Sequence, residues 1–221
     1  MMTTTEPATR QKQRSTSFAF ALLAWLTIQL IALSIAAARA PIWARFPKPG
    51  DRFAIAEMLA TQVVAISLLF PVLLRDRLTS VAIASSALPF IALAGTLSSA
   101  PASNLMSVAT MICVLIAGAA LIRPSLSTRA SESAGLIIAV TLSLGVPILH
   151  YILSEFGDGT RDSVGASLFS PTLCILGALR EPVGGRFWIC PLAILALGIA
   201  ARVRKRRCDR LSTADDHQRA R

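Results

Sequence analysis

Charge is scarce in this chain. Asp, Glu, Lys and Arg together make 15% of its 221 residues, against 54% hydrophobic types. A water-soluble domain at that balance would expose too much apolar surface. Catalytic signatures are missing too. There is no H-E-x-x-H, no G-x-S-x-G and no Walker A string, which removes the usual zinc-protease, hydrolase and nucleotide-binding readings. The four cysteines, Cys113, Cys174, Cys190 and Cys208, make no C-x-x-C pair and no Cys/His cluster. Zinc, iron–sulfur and thioredoxin-like chemistry is therefore not expected. Cys113 reads as a small packing residue in an apolar run. Cys174 and Cys190 both fall near the expected outer face, where a disulfide between them stays open as an alternative to free thiols. The expectation is a protein without cofactor or metal that is not an enzyme.

Long apolar runs are what the chain does have. A run of about 20 apolar residues crosses a hydrocarbon layer of ~30 Å, and six runs approach that length: 17–38, 53–74, 79–97, 105–122, 134–153 and 187–201. The expected fold is all-α, a polytopic transmembrane bundle of six helices spanning 17–203. A short polar tail, 1–16, precedes it and a basic tail, 204–221, follows. The first run ends in SIAAARA, which resembles a cleavage site, but it is longer than the 7–15 apolar residues of a signal-peptide core. Pro41, Pro47 and Pro49 argue against continuous helix in the loop at 39–52. Gly145 and Pro147 predict a kink in the fifth helix.

The formal charge is +10. On a soluble protein that would point to nucleic acid. Here the excess sits at the ends and in short loops, so the expected partner is the lipid bilayer, and no nucleic-acid binding is expected. With both termini in the cytoplasm, the inner segments hold Arg10, Lys12, Arg14, Arg75, Arg77, Arg123, Arg129 and RVRKRR at 202–207. The outer segments hold Arg39, Arg45, Lys48, Arg52, Arg161, Arg180 and Arg186. The bias is inward, as the positive-inside rule requires; the first outer loop is its exception. The expected location is the inner, cytoplasmic membrane of the cell. The apolar stretch at 164–179 would carry RVRKRR outside if it crossed as a seventh span. Two readings remain: a segment that dips into the outer leaflet and returns, or an extracellular amphipathic helix.

Glu57 and His150 are the candidate site residues. An ionisable group inside a span is costly and normally faces the bundle interior. Each lies about one turn below the expected outer surface, so a polar site formed by the pair is expected near an outer vestibule, with a purely structural contact as the alternative. Gln29 and Gln62 read as buried amides that join helices. Ala193, Ala196 and Ala200 share one face of the last helix and read as a packing stripe. The string GDGTRD at 157–162 lacks the alternating carboxylates of a calcium loop and reads as a surface turn.

The C-terminal third, SLFSPTLCILGAL at 167–179 followed by FWICPLAILALGIAARVRKRR at 187–207, resembles the end of an ABC-2-type transporter permease. Permeases of that family often carry a Ser-Pro apolar segment outside the membrane and a final helix closing in a basic tail. The resemblance implies six spans, a re-entrant link between helices five and six, a homodimer, and a separate ATP-binding subunit that supplies the nucleotide chemistry. Family members usually start with an amphipathic helix that couples to the ATPase; residues 3–16 show no apolar stripe. A non-catalytic accessory or assembly protein of a membrane complex is the competing expectation.

Overall fold

A segment whose surroundings offer no water must satisfy its own backbone N–H and C=O groups, and helix does this within one segment. A computed structural model of the protein describes residues 6–43, 53–73, 77–97, 101–126, 128–156, 169–180 and 185–219. Among them there are helices and turns and no strand. The helices are α1 (Glu6–Trp43), α2 (Phe53–Leu73), α3 (Arg77–Leu97), α4 (Ala102–Ile122), α5 (Arg129–Val140), α6 (Val146–Phe156), α7 (Pro171–Arg180) and α8 (Ile189–Arg219). A π-helical turn, Thr141–Gly145, joins α5 to α6 as one long helix. Among the described residues, five stretches are long and apolar enough to cross a membrane: Ala19–Ala38, Thr79–Leu97, Ala102–Ser125, Arg129–Leu153 and Gly185–Cys208. α2 adds the shorter apolar stretch Ile55–Leu69. Large apolar side chains such as Phe20, Leu23, Val81, Met106 and Ile137 stand exposed around the bundle, which suits hydrocarbon and not water. The chain is a membrane protein built as an all-α bundle.

α1, α2 and α3 pack mutually, α4 joins α3 to α8, and α7 fills the space between α2 and α4. Trp25 of α1 is fully buried, and its indole Nε1 donates to Ser86 Oγ of α3 at 3.0 Å. Gln62 of α2 reaches the same level of α3, donating to the Ala87 carbonyl at 3.4 Å. α4 and α8 approach through glycines: a Cβ on Gly198 would lie 2.7 Å from the Gly118 carbonyl oxygen. Such close backbone approach through small residues is how helices associate without a hydrophobic driving force between them.

Several expectations need correction. α1 runs on through Pro41 to Trp43 and begins at Glu6, inside the expected tail. Pro41 sits in its last turn, where it removes the bond to the carbonyl of residue 37 and only two residues of helix follow it. The rest of the 39–52 loop lies outside the described residues. α8 does not stop at residue 201 but continues to Arg219, because no Gly or Pro follows Gly198 and Arg, Lys and Leu are good helix formers. It is 31 residues long, or ~46 Å, well beyond a ~30 Å hydrocarbon layer. Ala193, Ala196 and Ala200 face out of the bundle; the packing face of α8 is the one that carries Gly198. Gln62 does join helices, but Gln29 is fully buried and neither of its amide atoms has a hydrogen-bond partner.

Candidate functional site

Proline shapes the centre of the molecule. Pro147 brings no N–H to the carbonyl four residues before it, that of Ser143, and its ring crowds that carbonyl. The helix widens here into the π turn, where the Val146 N–H reaches back to the Thr141 oxygen. The Ser143 carbonyl accepts instead from Thr172 Oγ1 of α7 at 2.7 Å. The Ser143 hydroxyl meets the Ser67 hydroxyl of α2 at 2.6 Å, and Ser67 Oγ also donates to the Val63 carbonyl at 2.8 Å. Ser67, Ser143 and Thr172 are all buried. Three helices thus share one small polar junction, and a π turn is a common mark of functional sites.

α7 is the element that makes the junction unusual. Ser170 accepts the Leu173 N–H at its hydroxyl, 3.4 Å, and the Cys174 N–H at its carbonyl, 2.9 Å. Pro171 takes the first helical position, where its missing N–H costs nothing. The other end is held by Asn104 of α4, whose Nδ2 donates to the Leu179 carbonyl at 3.1 Å. Ten residues give ~15 Å of helix, half of a membrane's hydrocarbon thickness. Thr172, Cys174, Ile175, Ala178 and Leu179 are buried, so α7 is an interior half-helix and not an amphipathic helix on a surface. Gly177 admits the Phe187 ring, which a Cβ at that position would meet head-on. Cys174 of α7 and Cys190 of α8 are both buried and are not joined in a disulfide, and the Cys190 thiol donates to the Phe169 carbonyl at 3.9 Å. The preceding stretch, 157–168, with Asp158, Asp162 and the first part of the expected dipping segment, lies outside the described residues.

Next to the junction runs a cleft of about 440 Å³. α2 forms its floor with Val63, Ile66 and Ser67. α4 and α8 make one wall, α5 and the π turn the other, and Pro171 at the start of α7 closes one end. Leu126, in the linker from α4 to α5, marks another edge. Nearby, Arg123 pairs with Glu132 at 2.7 Å.

Glu57 sits one turn into α2, half-buried, and its backbone carbonyl accepts from Thr61 Oγ1 at 2.7 Å. His150 sits half-buried on α6. Both helices meet the junction, α2 through Ser67 and the fifth helix through Ser143. Among the described residues no group of three or more His, Cys, Asp and Glu side chains is gathered as metal ligands would be. The serine–threonine junction escapes a reading of the sequence for charge alone. The spacing Ser-x-x-x-Pro occurs at Ser67 with Pro71 and at Ser143 with Pro147, but also at Ser85 with Pro89 and at Ser167 with Pro171, so it does not single the junction out.

Comparison with family models, with curated proteins and with solved structures finds no match to this chain.

Proposed function

We propose that this chain is a six-span protein of the inner membrane, with both termini in the cytoplasm, and that it acts as a permease-like subunit of a transport complex. A separate ATP-binding subunit would supply the energy, and the chain would work as a homodimer without enzymatic activity of its own. The observation that carries this reading is α7, the interior half-helix whose first turn stops against the π turn of the fifth helix. Discontinuous helices ending beside an irregular turn near mid-membrane are a recurrent way for transporters to build substrate sites. α7 would be the re-entrant part of the link between spans five and six. In this topology α2 runs inward and the fifth helix outward. Counting outward from the Ser67–Ser143 contact, Glu57 lies ~15 Å and His150 ~10 Å away, at similar depth. Similar depth is what the proposed Glu57–His150 polar site rests on, since the packing of α6 is mainly on the π turn that precedes it.

The experiment is a mild-detergent pull-down from native membranes with mass spectrometry of the associated proteins. A stoichiometric ATP-binding subunit is expected. Recovery of the protein alone, as a clean monomer, would sink the permease reading. For the polar pair, Glu57→Gln and His150→Ala should each lower transport while the protein still folds; full activity in both variants removes it from the mechanism.

The apolar cleft favours a second reading, a non-catalytic accessory or assembly protein, because a pathway for a polar solute needs more polar lining. Deletion that leaves transport intact and destabilises a membrane complex would select it.

A further inference from the structure

A cavity of about 440 Å³ falls within the range of roughly 300–1,000 Å³ that ligand sites occupy. Its lining is aliphatic, with Ile66, Leu115, Ile138 and Leu197 among it, and the exposure of Ile138 and Leu197 shows that it opens on the outside of the bundle. α5 packs on α2, while the cleft separates it from α4 and α8. Left empty, these walls would forfeit their dispersion contacts. Water is a poor filler, because a buried water needs two to four polar partners and the serines here are already bonded to one another or to backbone.

The chemistry changes at one end. Leu126, on the edge of the cleft, offers its carbonyl to Arg123 Nη1 at 3.2 Å. Lys205 stands two turns beyond Leu197 on α8 and donates to the Pro124 carbonyl at 2.7 Å. That contact uses one of the three donors of an ammonium. Arg129 opens α5 on the same linker and is exposed. Glu132, which pairs with Arg123, is the acid among these groups. The apolar cleft thus has cationic groups grouped beside its Leu126 end.

We propose that the cleft binds an acyl chain of an anionic phospholipid, whose phosphate is held by Arg123 and Lys205. The six-span reading enters only in assigning this lipid to the cytoplasmic leaflet. Chain and headgroup are recognised by different parts of the site. The walls take the hydrocarbon by area, and the rim selects charge through hydrogen bonds from cations to phosphate oxygens.

The test uses the purified full-length protein in mild detergent, offered phosphatidylglycerol and phosphatidylcholine of equal chain length, with retained lipid read by native mass spectrometry. Phosphatidylglycerol should be retained at least tenfold better. Lys205→Gln should reduce that preference roughly tenfold while lipid still binds. Ala139→Phe, which fills the slot, should abolish retention of both lipids. Equal retention of the two lipids by the unaltered protein, or an unchanged lipid load on Ala139→Phe, overturns the proposal. A variant that fails to fold is bypassed by the unaltered protein with phosphatidylglycerol carrying a photoreactive group on its acyl chain. Cross-links are expected in 115–126 and 131–142, and a map that misses both stretches also overturns the proposal. Leaflet is read separately, from membrane-impermeant maleimide on the exposed Cys208. Labelling from outside would overturn the cytoplasmic C-terminus and leave the lipid result standing.

Discussion

At the scale of single residues, the glycine contact between α4 and α8 is the most sensitive point. Gly198→Ala gains up to ~1 kcal/mol of intrinsic helix preference. It also drives a methyl group to 2.7 Å from the Gly118 carbonyl oxygen, and overpacking of this kind costs about 1–3 kcal/mol. A net loss is expected, seen as a lower thermal midpoint in detergent. Gln29 should behave in the opposite sense. Its amide is buried with no hydrogen-bond partner, a condition that costs about 1–3 kcal/mol. Gln29→Leu should raise the midpoint, and a fall would mean that the amide holds a polar guest. The sequence marks these residues unevenly. A charge in an apolar run stands out against its neighbours, so Glu57 and His150 were visible at once. Ser67, Ser143 and Thr172 were not, because a hydroxyl inside a helix ordinarily bonds back to its own turn, as Ser34 does to the Leu30 carbonyl. The proline four residues on leaves the Ser143 carbonyl without a donor from its own helix, and Thr172 takes it up.

At the scale of elements, hydropathy reports that a segment avoids water and says little about where it ends. The apolar runs mapped onto helices with cores close to those expected. Boundaries shifted where polar residues continue a helix: Arg129 to Ser133 begin α5, whose first turn Thr128 and Ser131 fix as a reciprocal cap. The last helix ran past its apolar limit for the same reason. α7 was legible as a segment too short and too interrupted to cross, yet its interior position depends on partners far away in the chain, Asn104 and Ser143. Those bonds give a direct test. Thr172→Val keeps the shape of the side chain but leaves the Ser143 carbonyl unbonded. It should loosen the first turn of α7, read as faster hydrogen exchange in 171–174 with α1 and α3 unaffected. Equal exchange throughout would mean that the threonine bond does not hold α7 in position. The thiols of Cys174 and Cys190 should close to a disulfide under a mild copper-based oxidant, detected as loss of two hydrogens in the intact mass, without loss of fold. If only intermolecular bridges form, the two residues are not neighbours in the membrane.

At the scale of the whole molecule, α8 links the bundle to whatever lies beyond the membrane surface. It is helical from Ile189 to Arg219, so spin labels at Leu195 and Ala214 should report one narrow distance near ~28 Å. A broad distribution would mean that the basic end is not continuous with the span. If the helix is continuous, it is a lever whose fulcrum is the contact of Gly198 with Gly118. Arg219 lies ~31 Å from that fulcrum, so a tilt of roughly ten degrees there would carry the far end through about 5 Å. Ile194 and Leu121 flank that glycine contact and Lys205 ties α8 to the Pro124 carbonyl, so α4 and α8 form one packed pair, and a push on the tail would arrive at the cleft as a movement of that whole wall.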